Sequence, residues 1–284
     1  MPDLPRLPEL SLAEIPAGSR PRYRGDRFSY MEAGPRDARP VVLLHGIGAN
    51  SLHWRFQLAA LAGRWRPIAW NAPGYMLSDN LAVEVPSGKD YADALADFLA
   101  ALGIAAFDVV ANSFGTRVVQ AFVCHHPGRI GRAVFTGTAI AHNLSAAERE
   151  RSIAARAAMI ASGGWGFGER VQALLGSTTA STATVALVQH VLRATNPEGF
   201  MQAARCIAAA DAAPLGAGLA LPLLLIQGEE DRVTPAETNA AKLLSAVPDA
   251  RLVMLPGIGH LPEVEAPTRV NDLLAAHLAA PSAR

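Results

Sequence analysis

Val109-Val110-Ala111-Asn112-Ser113-Phe114-Gly115 is an apolar run that stops at a serine and then continues as a helical pattern. A serine at such a strand-to-helix elbow stands clear of its neighbours, ready to attack a carbonyl carbon. The usual form is G-x-S-x-G, where small residues flank the serine because strand and helix pack closely around a strained turn. Here Ala111 takes the place of the first glycine, and Gly115 keeps the side on which the helix crowds most. The competing reading is an ordinary helix start with Asn112 or Ser113 as N-cap. Five-residue patterns recur by chance, so the order of signals elsewhere has to decide.

Upstream, Val41-Val42-Leu43-Leu44-His45-Gly46-Ile47-Gly48 reads as a buried strand followed by a glycine-containing turn. Such a turn can present backbone N–H groups to a developing negative charge. Downstream, Leu223-Leu224-Leu225-Ile226-Gln227-Gly228 is a second buried strand, running into the acidic turn Glu229-Glu230-Asp231 with Pro235 beyond it. Leu252 to Leu255 is a third, and its loop carries Gly259-His260. The chain order is therefore Ser113, Asp231, His260, each just past the carboxyl end of a strand.

In that order the chain resembles the α/β-hydrolase family. The matching stretches are His45-Gly46-Ile47-Gly48, Asn71-Ala72-Pro73-Gly74-Tyr75, Asn112-Ser113-Phe114-Gly115, Gly228-Glu229-Glu230-Asp231 with Pro235, and Gly259-His260 with Glu265 and Pro267. They span the chain from about Val41 to Pro267, and their joint order is far more specific than any one of them. Within the family the chain is similar to the lactonase and esterase branch that includes 3-oxoadipate enol-lactone hydrolases. Arg193-Ala194-Thr195-Asn196-Pro197-Glu198-Gly199-Phe200, ahead of the acid strand, contributes to that likeness. Asn71 stands where such proteins commonly carry aspartate, and Met76 where they carry a glycine. Carbon–carbon bond hydrolases of the fold share the Asn-Ser elbow but usually place tryptophan after the catalytic histidine; here that residue is Leu261.

The resemblance implies a role for each residue. Ser113 is the nucleophile, too weak unless a base takes its proton. His260 is that base and later the acid towards the leaving alkoxide. Asp231 fixes the imidazole tautomer, and its spacing from Gly228 favours it over Glu230. Backbone N–H groups of Ile47 and Phe114 make the oxyanion hole, with Gly48 a lesser candidate. Trp165 is a candidate pocket wall, and Arg193 a candidate partner for a substrate carboxylate; packing and helix capping are the plainer readings of these two. His45 is expected to support its loop by hydrogen bonding. His53, His142, His190 and His277 have no motif around them, and no Cys/His spacing suggests a metal, so neither metal nor cofactor is expected.

Composition narrows the partners. Lys plus Arg equals Asp plus Glu at 25 each, so no global field favours nucleic acid or an anionic membrane. A small organic substrate is expected; oligomeric state is not legible. Cys124 and Cys206 lie in apolar helical patterns and are expected as free thiols. The N-terminal stretch to Arg20 lacks the basic start and apolar core of a secretion signal, and no apolar run is long enough to span a bilayer, so cytoplasmic residence is the expectation.

Strands near Arg66 to Asn71, Phe107 to Asn112 and Ala133 to Thr136 alternate with helices near Trp54 to Ala62, Lys89 to Leu102 and Thr116 to His125. Tyr91, Leu95, Phe98, Leu99 and Leu102 mark one helical packing face. This alternation predicts an α/β fold, a doubly wound, mostly parallel sheet. Residues 139–219 break it: they read as helices, opened by the capping box Ser145-Ala146-Ala147-Glu148. The expected organisation is a core of residues 1–138 and 220–284, with 139–219 as a helical cap hinged near Ser162-Gly163-Gly164. Non-ester chemistry with the same residues, such as carbon–carbon cleavage, is one alternative. A non-catalytic small-molecule receptor on the same fold is another.

Overall fold

Eight strands pair into one sheet among the residues that the computed structural model describes, 4–162, 167–209 and 214–280. They are β1 (Leu10–Glu14), β2 (Arg27–Glu32), β3 (Pro40–Leu44), β4 (Arg66–Trp70), β5 (Phe107–Asn112), β6 (Ile130–Thr136), β7 (Leu223–Gly228) and β8 (Arg251–Leu255). The spatial order is β1-β2-β4-β3-β5-β6-β7-β8. β1 pairs antiparallel with β2, and β2 with β4; every pairing from β4 to β8 is parallel.

Among the described residues ten α-helical segments accompany the strands: α1 (Arg55–Leu61), α2 (Gly88–Ala101), α3 (Phe114–His125), α4 (Ala146–Ala161), α5 (Phe167–Leu174), α6 (Thr182–Arg193), α7 (Pro197–Ala208), α8 (Ala240–Ala246), α9 (Pro262–Glu265) and α10 (Pro267–Ala279). The strand period of two divides the core cleanly. Val42, Leu44, Val109, Ala111, Phe135 and Leu225 face one layer with Phe98 of α2, Phe122 of α3 and Leu243 of α8. Val41, Leu43, Val110, Val134, Leu224 and Ile226 face the other, with Leu58 of α1 and Leu274 of α10. Strands covered on both faces are continuous apolar runs, which is why β3, β5 and β7 stand out in the sequence.

Other elements were masked. β1 and β2 are short, and Leu12 in β1 is half exposed, so the N-terminal antiparallel pair shows no clean alternation. β6 starts at Ile130, three residues before the expected Ala133, because Gly131-Arg132 reads as a break. Arg132 is nevertheless buried and donates to the carbonyl of Ala280. The single helix expected from Trp54 to Ala62 is a 3-10 turn, Ser51–Trp54, capped by the Asn50 side chain, and then α1. Between β6 and β7 run α4 to α7, with no strand among the described residues. The Ser145–Glu148 capping box is present at α4. Gly163, Gly164 and Trp165 lie outside the described residues. Val171, Leu174, Val188 and Leu192 of the insertion pack with Leu261 and Val264 as a separate apolar cluster.

Candidate active site

Ser113 sits where β5 turns directly into α3, with φ 50° and ψ −115°. Positive φ in a non-glycine residue is strained, and a strained elbow is how the chain lifts a side chain above the sheet edge. Close packing enforces the turn. A Cβ on Gly115 would lie 2.4 Å from the carbonyl oxygen of Leu44, so only glycine lets α3 approach β3 this closely. Thr116 clamps the turn from below, donating from its hydroxyl to the Ser113 carbonyl at 2.7 Å. The Ser113 hydroxyl has no hydrogen-bond partner among the described residues.

Asp231 and His260 emerge from the ends of β7 and β8 and meet: His260 Nδ1 lies 2.8 Å from Asp231 Oδ2. Gln227 Nε2 and the Thr234 hydroxyl also donate to that oxygen, at 2.6 and 2.9 Å. The other oxygen takes the backbone N–H groups of Val233 and Thr234, both at 2.9 Å. Burial alone would raise the carboxyl's pKa, but the bonds from His260 and Thr234 prevail and hold it below the ordinary aspartate value. A carboxylate so fixed orients the imidazole through Nδ1, leaving Nε2 for chemistry. Glu230, the competing acid, instead accepts from the backbone and hydroxyl of Ser177.

Ile47 and Phe114 flank the serine in the lining of one of two adjoining cavities. Neither backbone N–H has a hydrogen-bond partner among the described residues. The N–H of Gly48, by contrast, faces the Tyr75 hydroxyl at 3.5 Å. His45 braces this loop: Nε2 accepts from the Ala72 N–H at 3.1 Å, so Nδ1 carries the proton and donates to the Gly46 carbonyl at 2.8 Å. Burial pushes its pKa down to about 4, which keeps the ring neutral.

The two cavities share Ser113, Ile47, Arg156 and Val233. One lobe, about 160 Å³, is walled by apolar side chains of α5 and α6, among them Leu174, Val188 and Leu192, with His260 at its floor. The other, about 190 Å³, is bounded by Phe114, Arg117, Ile140, Leu144 and Asn239. A serine at such a junction has room for an acyl group on one side and a leaving group on the other. Arg193 is outside both linings, on an exposed position at the end of α6; Arg156 and Arg170 are the cations that line the first lobe.

Several residues here had no role assigned from the sequence. His53 lines the first lobe and pairs with buried Glu263, Nε2 to Oε1 at 2.5 Å. Gln227 also donates to the Thr234 carbonyl and accepts from the Thr138 N–H, tying the acid turn to the segment that follows β6. Asn112 reaches from the elbow to the His260 carbonyl at 3.2 Å. A polar residue inside an otherwise apolar strand was the available signal for Gln227 and Asn112. His53 and Glu263 are 210 residues apart, and nothing local links them. Among the described residues, no three His, Cys, Asp or Glu side chains converge as a metal ion would require.

A family model for the alpha/beta hydrolase fold matches residues 39–267. The chain belongs to that family. Among proteins like this family member is an esterase from Thermogutta terrifontis, 22% identical with a TM-score of 0.82, covering 95% of this chain and 98% of its own. The enol-lactonase from Burkholderia xenovorans LB400 is 20% identical with a TM-score of 0.77, covering 91% and 98%. The pimeloyl-[acyl-carrier protein] methyl ester esterase of Chromobacterium violaceum is 28% identical over 84% of this chain and 93% of its own. No helix among the described residues is long and apolar enough to cross a membrane.

Proposed function

We propose that this hydrolase cleaves a carboxylic ester or lactone of a small organic substrate through an acyl-enzyme on Ser113. One observation carries the reading: a strained serine elbow, two unpaired N–H groups and a histidine tethered to a buried aspartate all face the same two-lobed cavity. Ser113 Oγ attacks the carbonyl carbon while His260 Nε2 takes its proton. The oxyanion that forms is met by the N–H groups of Ile47 and Phe114, each such donor contributing on the order of 3 kcal/mol in related sites. Collapse expels the alkoxide, which leaves with the proton from His260. Water then gives a proton to His260 and attacks the acyl carbon, and Ser113 departs with that proton. Asp231 stays ionised throughout and stabilises the imidazolium. Residues 139–219 act as a cap: α5 and α6 wall the cavity and separate the reacting carbonyl from bulk solvent, while leaving room for the one water that deacylation consumes.

The esterase and lactonase relatives support this choice. Asn112 beside Ser113 favours carbon–carbon bond hydrolysis as the second reading, with Leu261 against it.

A series of p-nitrophenyl esters of increasing acyl length, hydrolysed by wild type and by Ser113→Ala and His260→Ala, tests the assignment. Each variant should lose about 10⁴-fold or more in kcat. A variant that kept most of the activity would remove its residue from the mechanism. A wild type inactive on every ester, yet tightly binding a small ligand, would favour a receptor.

A further inference from the structure

Arg156 of α4 and Arg170 of α5 both face the lobe that contains Ser113 and His260. Their partners are neutral. Arg156 donates to the Ser152 carbonyl at 3.1 Å and to the Ser152 hydroxyl. Arg170 Nη2 donates to the Ile47 carbonyl at 3.0 Å, and its guanidinium lies 5.5 Å from the centre of the Phe200 ring. Among the described residues no carboxylate pairs with either, and no Asp or Glu lines either lobe. Arg66 shows the contrast: enclosed in the same molecule, it forks onto Glu32 at 2.9 and 2.7 Å.

A guanidinium stays charged wherever it is placed, and Arg156 and Arg170 are both partly buried without a counter-ion, which is costlier than full exposure to water. Burial weakens the hold of both groups on their protons, and Arg156 adds to the effect at Arg170. Two partly buried cations turned towards one largely apolar cavity therefore favour an anion supplied from outside the protein. Arg117, at the other lobe, is a third cation whose bond goes to a neutral group, the Ile207 carbonyl at 2.8 Å.

We propose that the substrate carries a carboxylate, bound between Arg156 and Arg170, beside the ester or lactone carbonyl that Ser113 attacks. This rests on the hydrolase reading for its chemistry, though not for the binding itself. Arg170 holds the carbonyl of Ile47, whose N–H is the candidate oxyanion donor, so carboxylate and scissile carbonyl are only a few bonds apart. A half-ester of a short dicarboxylic acid has that shape, and planar forks suit a carboxylate.

The test compares the monomethyl with the dimethyl esters of succinate, glutarate and adipate by titrating acid release at pH 7. Binding of the same compounds to Ser113→Ala is measured by calorimetry. At least one half-ester should exceed its dimethyl counterpart in kcat/KM by roughly tenfold to a hundredfold. That ratio should collapse towards one in Arg156→Gln and Arg170→Gln, while Arg170→Lys recovers only part of it. Ser113→Ala should bind the half-ester and not the diester. If the arginine variants fail to fold, the wild-type ratio and the Ser113→Ala titration still decide. A ratio near one at every chain length, with no half-ester binding to Ser113→Ala, overturns the proposal, as does a ratio unchanged by both glutamine variants. Half-ester binding without hydrolysis of any ester would keep the carboxylate site and overturn the hydrolytic reading instead.

Discussion

At Ser113 the backbone takes a conformation that its side chain does not favour, φ 50° with ψ −115°. Strain of this kind costs on the order of 1 to 3 kcal/mol, whereas glycine adopts positive φ freely at an entropy cost of about 1 kcal/mol. Ser113→Gly should therefore unfold at a higher denaturant concentration than wild type, by about 1 kcal/mol, while losing turnover. A loss of stability in that variant would mean that the elbow is not strained. His45 gives a pH dependence. Its folded pKa is pushed down to about 4 by burial, with nearby His53 adding to the effect and the Gly46 carbonyl opposing it. Unfolded, it titrates at about 6.5. Between these values the unfolded chain binds a proton that the folded one refuses, so this stability is full above about pH 6.5 and is lost as pH falls towards 4. The loss is roughly 3 kcal/mol. Urea midpoints should fall from pH 7 to 4.5, and the fall should be shallower in His45→Gln. At this scale much was legible, since Ser113, Asp231 and His260 each follow a recognisable strand. Arg156 and Arg170 were not: an arginine in a helix among alanines, as in α4, or beside a glutamate, as in α5, looks like a solvated one until its surroundings are known.

The elements that carry the site are fastened at one point. Glu265, at the end of α9, accepts from the N–H groups of Gly259 and Leu261, on either side of His260, and from that of Gly176 between α5 and α6, at 2.7 to 3.1 Å. Thr179 donates to it as well. The His260 N–H itself bonds the Leu174 carbonyl at 2.8 Å. Gly176, Gly228 and Gly259 let three backbones meet here; a Cβ on Gly228 would stand 2.1 Å from the Gly259 carbonyl oxygen. One carboxylate thus holds the histidine loop against the helical insertion. Glu265→Ala leaves three N–H groups without their acceptor and should cost about 2 kcal/mol of stability. It should lower kcat more than a surface substitution would, because His260 loses its anchor. Thermal unfolding and ester hydrolysis measured together check this; unchanged kcat would separate the latch from catalysis. Glu265 was visible in the sequence as part of a motif. Its bond to Gly176 was not, because that contact joins segments 89 residues apart.

Over the whole molecule, a parallel sheet covered on both faces brings the ends of β3, β5, β7 and β8 to one edge, and α4 to α7 enter the chain between β6 and β7. Chain order was therefore sufficient to anticipate that Ser113, Asp231 and His260 come to one sheet edge as a candidate site. It was not sufficient for the N-terminal hairpin, whose edge strand buries too little to leave an apolar signature, or for which face of the insertion lines the cavity. Equal numbers of acidic and basic residues give no net field, so the local excess of cations around Ser113 stands out as a property of the cavity. The proposed mechanism turns on acylation of Ser113. Rapid mixing with a p-nitrophenyl ester, followed by acid quenching and mass analysis of peptides, tests it directly. A burst of about one p-nitrophenol per chain, with the acyl mass on the Ser113 peptide and neither signal in Ser113→Ala, is the predicted result. Steady turnover with no burst and no adduct, retained in Ser113→Ala, would contradict it.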